Sequence, residues 1–139
     1  MTGPADPAEV AELAERSSMC WVAVGAEVSR PVWHRWDDGA LCVVVGGGEQ
    51  PLPGLSETAQ VTVILRDRAT RQRAATVPAR VEVLIPHTPA WTRTVAVLLP
   101  ARLNLPDPDQ AAERWAREST VARLMPVGGS VPLPRGDRR

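Results

Sequence analysis

The strongest restriction on the fold of this chain is a change of hydrophobic period at Met19. From Met19 to Ile85, apolar side chains recur at every second position, in short runs cut by glycine, proline and aspartate. A period of two turns one side of each run toward a core and the other toward solvent, which is the pattern of a β-strand. Cys20, Val22 and Val24 alternate with Trp21 and Ala23. Pro31 to Trp36 sets Val32, His34 and Trp36 on one side and Trp33 and Arg35 on the other. Asp37-Asp38-Gly39 reads as a hairpin turn, with Gly39 supplying the positive φ that such turns need. Leu41 to Val45 is apolar at every position, so that strand is expected to be buried on both faces. Two more strands are expected at Gln60–Arg66 and Ala75–Ile85, the second alternating Ala79, Val81, Val83 and Ile85 against Arg80 and Glu82.

Helix signals flank this block. Asp6-Pro7-Ala8-Glu9 offers an N-cap acceptor, a proline at the first helical position and a carboxylate close behind. Val10, Leu13, Ala14 and Ser17 follow at helical spacing, giving a helix over 7–17. Thr88-Pro89 opens a segment with Trp91, Val95, Leu98 and Leu99 on one stripe, kinked or ended at Pro100. Val95, Val97 and Leu99 also alternate, so 94–106 fits a strand as well as a helix. Asp107-Pro108-Asp109-Gln110 opens a last helix, striped by Ala111, Trp115, Ala122 and Met125. C-terminal helices are thus expected over about 89–125. The fold class that follows is mainly β with peripheral helices. It is a single domain over residues 1–126, a small closed or half-closed antiparallel barrel of about five to six strands. Residues 127–139 form a tail that adds at most a short edge strand.

Composition narrows the chemistry. The 16 basic residues are all arginine and balance 16 acidic ones. Arginine in place of lysine reads as GC-rich coding bias as much as selection. Without lysine there is no Schiff base, no P-loop phosphate lysine and no Ser–Lys dyad. Zero net charge argues against a dedicated nucleic-acid binder. Cys20 and Cys42 lie in apolar runs without CxxC spacing, as small buried hydrophobes do. Met1 to Pro7 lacks the basic and apolar regions of a signal peptide. No apolar run approaches the ~18 residues of a membrane span. A soluble, cytoplasmic chain without a membrane partner is expected.

Two segments could carry a site. Arg30, Trp33, His34, Arg35 and Trp36 combine guanidiniums able to grip a phosphate with flat indole surfaces for a planar ring. The bland alternative is an edge strand with solvated arginines and core tryptophans. Gly46-Gly47-Gly48 could bring backbone N–H groups close to a phosphate or ring carbonyl, or could simply be a tight strand exit. It matches neither GxGxxG nor GxxxxGK[ST]. Gln50 could address a heteroaromatic edge or cap the turn. His34 and His87 are the only imidazoles and have no zinc spacing. Asp37 and Asp38 are turn carboxylates that point apart, and no serine sits in a GxSxG elbow. The stretch Arg66 to Arg73 reads as a solvated hairpin tip, with nucleic-acid contact the minority reading.

Arg30-Pro31-Val32-Trp33-His34-Arg35-Trp36-Asp37-Asp38-Gly39-Ala40-Leu41-Cys42-Val43 resembles the R-P-x-x-x-P-V-W-F-x-W-D-G-x-L-Y-V stretch of pyridoxamine 5′-phosphate oxidase-like proteins, and Trp91 to Asn104 and Glu113 to Pro126 resemble the C-terminal parts of the family's short actinobacterial members. Gly46 to Leu55 stands where that family has its phosphate-contacting turn, and the next two strands are similar in spacing. The resemblance spans roughly residues 18–126. It implies an FMN-binding split β-barrel that works as a homodimer, with the planar cofactor at the subunit interface; F420 and haem are the family's other planar groups. Carried onto this chain, the cofactor-binding set is Arg30, Trp33, His34, Arg35, Gly46, Gly47 and Gln50, with Arg66 as a further cation. One departure matters. Family members place a phosphate-pairing lysine after the third strand, whereas Gly46 to Gln60 holds no cation here. Two functions therefore follow: a flavin-type oxidoreductase on a small molecule, or a non-catalytic split-barrel dimer that has lost its cofactor and serves as a binding or scaffold protein.

Overall fold

The computed structural model describes residues 6–66, 74–102 and 104–127. Helix α1, Pro7–Arg16, begins as its sequence predicts: the Asp6 carboxylate accepts from the Glu9 N–H at 3.3 Å, with Pro7 in the first turn. Strand β1 is Met19–Ala23, β2 Arg30–Trp33, β3 Arg35–Asp37 and β4 Ala40–Val45. Asp38 and Gly39, at φ 49° and 81°, join β3 to β4 in the two-residue turn with two positive φ values that matches strand twist. Then come β5, Gln60–Arg66, and β6, Ala74–Val83, followed by α2, Pro89–Leu98, α3, Ala111–Glu118, and β7, Thr120–Pro126. The segment over 94–106 is thus settled as helix to Leu98, with a 3-10 turn at Leu99–Ala101 that absorbs Pro100.

The sheet has seven antiparallel strands in the order β2-β1-β5-β6-β7-β4-β3, where five to six were expected. Two corrections account for the difference. The run Pro31 to Trp36 is broken at His34 into β2 and β3. The His34 N–H donates to the Ser18 carbonyl at 2.9 Å, off the ladder, and its ring is buried against the end of α1. Because β2 and β3 lie at opposite ends of the strand order yet are one residue apart in the chain, the sheet curls nearly closed. The second correction concerns the C-terminus. The stripe of Ala111 and Trp115 does not run on through Ala122 and Met125. The helix stops at Glu118, Ser119 is extended, and β7 inserts between β6 and β4, pairing with both. Thr120-Val121 is β-branched, and five pairs of ladder on each side outweigh the helical preference of the alanines around it.

A smaller correction falls at the end of β6. Val83 and Ile85 are 42% and 70% exposed, and Leu84 is the buried residue. The Leu84 N–H still donates to the Val121 carbonyl as the chain leaves the sheet, so the alternation slips by one. The stretch Asp67 to Arg73 and the tail beyond Val127 lie outside the described residues.

Two cores lie on either side of the sheet. The barrel interior holds Val22, Val32, Leu41, Val43, Val63 and Leu65, closed by Val10 and Leu13 of α1. A second cluster, with Cys42, Val44, Val121, Trp91, Leu98 and Trp115, fills the space between the sheet's outer face and α2 and α3. This is why β4 is buried at all six positions. Among the described residues no helix is long and apolar enough to cross a membrane.

Asp37 ties the hairpin to the helices. Its carboxylate accepts from Arg93 of α2 at 3.1 and 3.4 Å and from Arg123 of β7 at 3.4 Å, while Arg123 also donates to the Asp37 and Asp38 carbonyls. These guanidiniums hold the Asp37 carboxyl below the usual carboxylate range, Arg93 most strongly. A depressed folded-state pKa adds stability above the unfolded-state value and loses it as pH falls through the folded one. Asp37→Asn is therefore expected to lower the urea midpoint at neutral pH and to change it little in strong acid; equal losses at both would contradict the pairing.

Candidate functional site

The chain leaves β4 through the glycine segment, and here the structure shows what holds it. Gly46 and Gly47 have φ values of 84° and 62°. The Gly46 N–H donates to the Gln50 carbonyl, and the Ser119 hydroxyl donates to the Gly46 carbonyl at 3.0 Å. A Cβ on Gly47 would sit 2.7 Å from the Glu118 carbonyl oxygen. The close backbone approach that this glycine permits is thus made to the protein's own β7 entry.

Gln50 is committed as well. Its Oε1 accepts from the Trp33 N–H at 2.8 Å, and its Nε2 donates to the carbonyls of Trp33 and Val44 at 3.1 and 3.2 Å. One side chain thereby supplies the ladder partner that β2 lacks at its outer edge and stitches it to β4. Gln50→Ala leaves three backbone groups without partners and is expected to cost about 2–3 kcal/mol in urea unfolding; a cost below about 1 kcal/mol would show that water replaces it.

Sequence reasoning did not single out Glu49. Its side chain is 1% exposed and takes Arg102 Nε at 2.8 Å, Arg114 Nη1 at 3.4 Å and the Trp115 indole N–H at 3.0 Å. Arg114 in turn grips Asp107 with two bonds of 2.8 and 2.9 Å. So where the family resemblance leads one to look for a phosphate cation, this chain carries a buried anion clamped from α3 and the turn after α2. The available signal was an acid directly after three glycines with nothing cationic nearby, but its partners lie more than 50 residues away.

Seven of the described arginines bear on a candidate site and fall into two groups. Arg93, Arg102, Arg114 and Arg123 are spent on Asp37, Glu49 and Asp107. The guanidiniums of Arg30, Arg35 and Arg66 have no hydrogen bond or ion pair to a described residue; that of Arg66 instead lies over the Trp21 ring at 5.2 Å. Register separates these three. Trp21 faces Pro31 on one side and Ile64 on the other, and Met19 faces Trp33, so these residues share the sheet's outer surface, with Arg66 two residues beyond Ile64. Helices α2 and α3 cover the β4–β7 half of that surface and leave the β1–β5 half open, with Met19 exposed. Arg30 pairs with Val22, so it belongs to the opposite, inner side, at the open end of the barrel. Arg35 is exposed opposite Cys42, near the β3 edge.

His34 is fully buried. Its Nε2 lies 2.9 Å from the Ala14 carbonyl, which can only accept, so Nε2 carries the proton and the Nδ1 lone pair is left without a partner. Burial pushes its pKa below the usual histidine value, against the Ala14 bond. The structure thus places His34 among core residues at the α1 end, away from the outer surface. Burial raises the thiols of Cys20 and Cys42 to about 12 and about 11, which makes both inert hydrophobes. No group of three metal-ligating side chains occurs among the described residues. In chemical terms, the outer face offers a flat, Trp-bearing apolar surface with a guanidinium stacked at its edge. That suits a planar anionic ring system in shape and charge; in the glycine segment the Gly46 and Glu49 N–H groups are bonded within the loop, and those of Gly47 and Gly48 donate to no described residue.

No protein-family model matches the sequence, and no curated protein matches it. Solved structures do match. The haem storage protein from Vibrio cholerae superposes with a TM-score of 0.62 at 13% identity, over 88% of this chain and 90% of that one. An F420 reductase gives 0.56 at 19% identity, over 84% and 92%. A pyridoxamine 5′-phosphate oxidase-like protein from Listeria innocua gives 0.57 at 10% identity, over 86% and 92%. At these identities the likeness is one of fold.

Proposed function

We propose that this chain, which has the split-barrel fold of pyridoxamine 5′-phosphate oxidase-like proteins, holds a flat anionic cofactor of the flavin class between two of its copies. FMN is the expected group, with F420 and haem as the other planar candidates. The observation that carries this reading is the part of the outer face that the helices leave uncovered: Met19 is exposed beside Trp21 and Trp33, the latter packed on one side against the α2–α3 cluster, and the Arg66 guanidinium lies over Trp21. A second copy laid on this face would remove its apolar surface from water and would enclose a planar group between sheets.

A bound flavin would supply electron or hydride transfer, making the protein an oxidoreductase acting on a small molecule. The chain's own part is to bind and orient. Arg66 would neutralise the anionic end, Arg35 would approach it from the β3 edge, and the indoles of Trp21 and Trp33 would exclude water from the ring. The Trp33 backbone is fixed by Gln50, so that ring is presented by a rigid strand end. His34 is buried at the end of α1 and His87 lies against Trp91 and Glu113, so neither imidazole is part of the Trp21–Trp33 surface.

Fluorescence titration with FMN, F420 and haemin tests the reading. We expect saturable binding of one of them, weakened about 10–100-fold in Arg66→Ala, which is the worth of a charge-assisted bond. Light scattering is expected to give twice the chain mass. No binding of any of the three at tens of micromolar would leave the second reading, a dimer that serves as a scaffold without a cofactor. The commitment of the Glu49 and Gln50 side chains to the protein itself favours that reading, because the loop holds a buried carboxylate where a phosphate-pairing cation is expected.

A further inference from the structure

On the inner side of the sheet, at the open end of β1 and β2, lies a hollow of about 450 Å³. Its walls are Val22, Val24 and Leu52, which belong to or pack on the barrel core, so they are preformed. Gly54, at φ 88°, forms part of the wall: a Cβ there would come within 3.3 Å of Val24 Cγ1. The volume lies within the ~300–1,000 Å³ typical of small-molecule sites.

Two opposite charges line the same hollow. The side chains of Glu27, in the β1–β2 connection, and Arg30, the first residue of β2, have no hydrogen bond or ion pair with each other or with another described residue. Between them Val28 is 83% exposed, a large apolar side chain left in water on the rim. A site with one anion, one cation and apolar walls is complementary to a molecule with the same three parts reversed. A monocarboxylate would leave Glu27 facing its own charge, and an amine would do the same to Arg30.

We propose that this hollow binds an apolar α-amino acid. Its carboxylate pairs with Arg30, its ammonium pairs with Glu27, and its side chain lies against Val22, Val24 and Leu52, covering Val28. Guanidinium and carboxylate match in a two-bond fork, which fixes the orientation. The site is separate from the Trp21–Trp33 face, on the other side of the sheet, and needs no flavin.

Calorimetric titration of the intact chain with L-leucine and L-phenylalanine, alongside 4-methylpentanoate and isoamylamine, is the test. We expect one or both amino acids to bind, with the acid and the amine each at least about tenfold weaker. Arg30→Ala and Glu27→Ala should each weaken the amino acid about tenfold or more, and Glu27→Ala should not weaken the acid. Ala26→Trp, which fills the hollow from an exposed loop position, should abolish binding with the unfolding midpoint unchanged. Absence of heat with both amino acids at tens of millimolar, binding unaltered in Arg30→Ala, or 4-methylpentanoate binding as tightly as leucine would each overturn the assignment. Titration of Arg66→Ala gives an independent control: it should bind the amino acid normally whatever becomes of FMN.

Discussion

Glu49→Ala is expected to destabilise the protein by about 3–5 kcal/mol, the range for removing one partner from a buried ion pair. The cost comes from what is left behind. The Trp115 indole, fully buried, loses the acceptor that Glu49 gives its N–H, and Arg102 and Arg114 keep their charges with the anion gone. Their side chains are 22% and 17% exposed, so water reaches them in part and the lower half of the range is favoured. Glu49→Gln should cost less, because an amide oxygen still accepts from the indole. The measurement is urea unfolding followed by tryptophan fluorescence, with the slope of the transition checked for a change in the unfolded state. Arg114 retains Asp107 in either variant, so a loss below about 1 kcal/mol would mean that the two guanidiniums relax onto other partners and that Glu49 is not what fixes the loop.

Local chemistry was readable wherever it is self-contained. Asp6-Pro7 starts a helix, Asp38-Gly39 turns a hairpin, and the unbroken apolar run of Ala40–Val45 is a strand buried on both faces; in each case the cause lies within a few residues of the effect. What depends on distant pairing was not readable. Thr120–Pro126 becomes a strand because β4 and β6 leave a slot between them, a condition that no window around Ala122 contains. The break at His34 likewise depends on the carbonyls of Ser18 and Ala14. The candidate site suffers from the same limit. Composition counts arginines but cannot say which have carboxylate partners, and the division into spent and unspent guanidiniums decides where an anion can bind. Arg30 and Arg66 looked equivalent in the sequence, yet the register puts them on opposite sides of one sheet.

The glycine segment poses the same question in its sharpest form, and alanine substitutions separate the answers. Gly47→Ala is expected to cost about 3 kcal/mol or more. An alanine at φ 62° bears the strain of the left-handed region, about 1–2 kcal/mol. Its Cβ would also lie 2.7 Å from the Glu118 carbonyl oxygen and 3.0 Å from the Ser119 hydroxyl, and the carbonyl is backbone held at the junction of α3 and β7. Gly46→Ala carries a similar φ, 84°, but its Cβ would meet nothing within 4 Å, so only the conformational cost of about 1–2 kcal/mol should appear. The difference between the two midpoints therefore measures the close approach alone. If the segment serves the fold, Gly47→Ala is the more damaging and neither substitution changes cofactor affinity beyond what stability explains. If instead it cradles a ligand, Gly46→Ala, whose new methyl points into open space, should weaken FMN binding while leaving the fold nearly intact. Equal stability losses at the two positions would remove the packing against Glu118 as the reason for a glycine at 47.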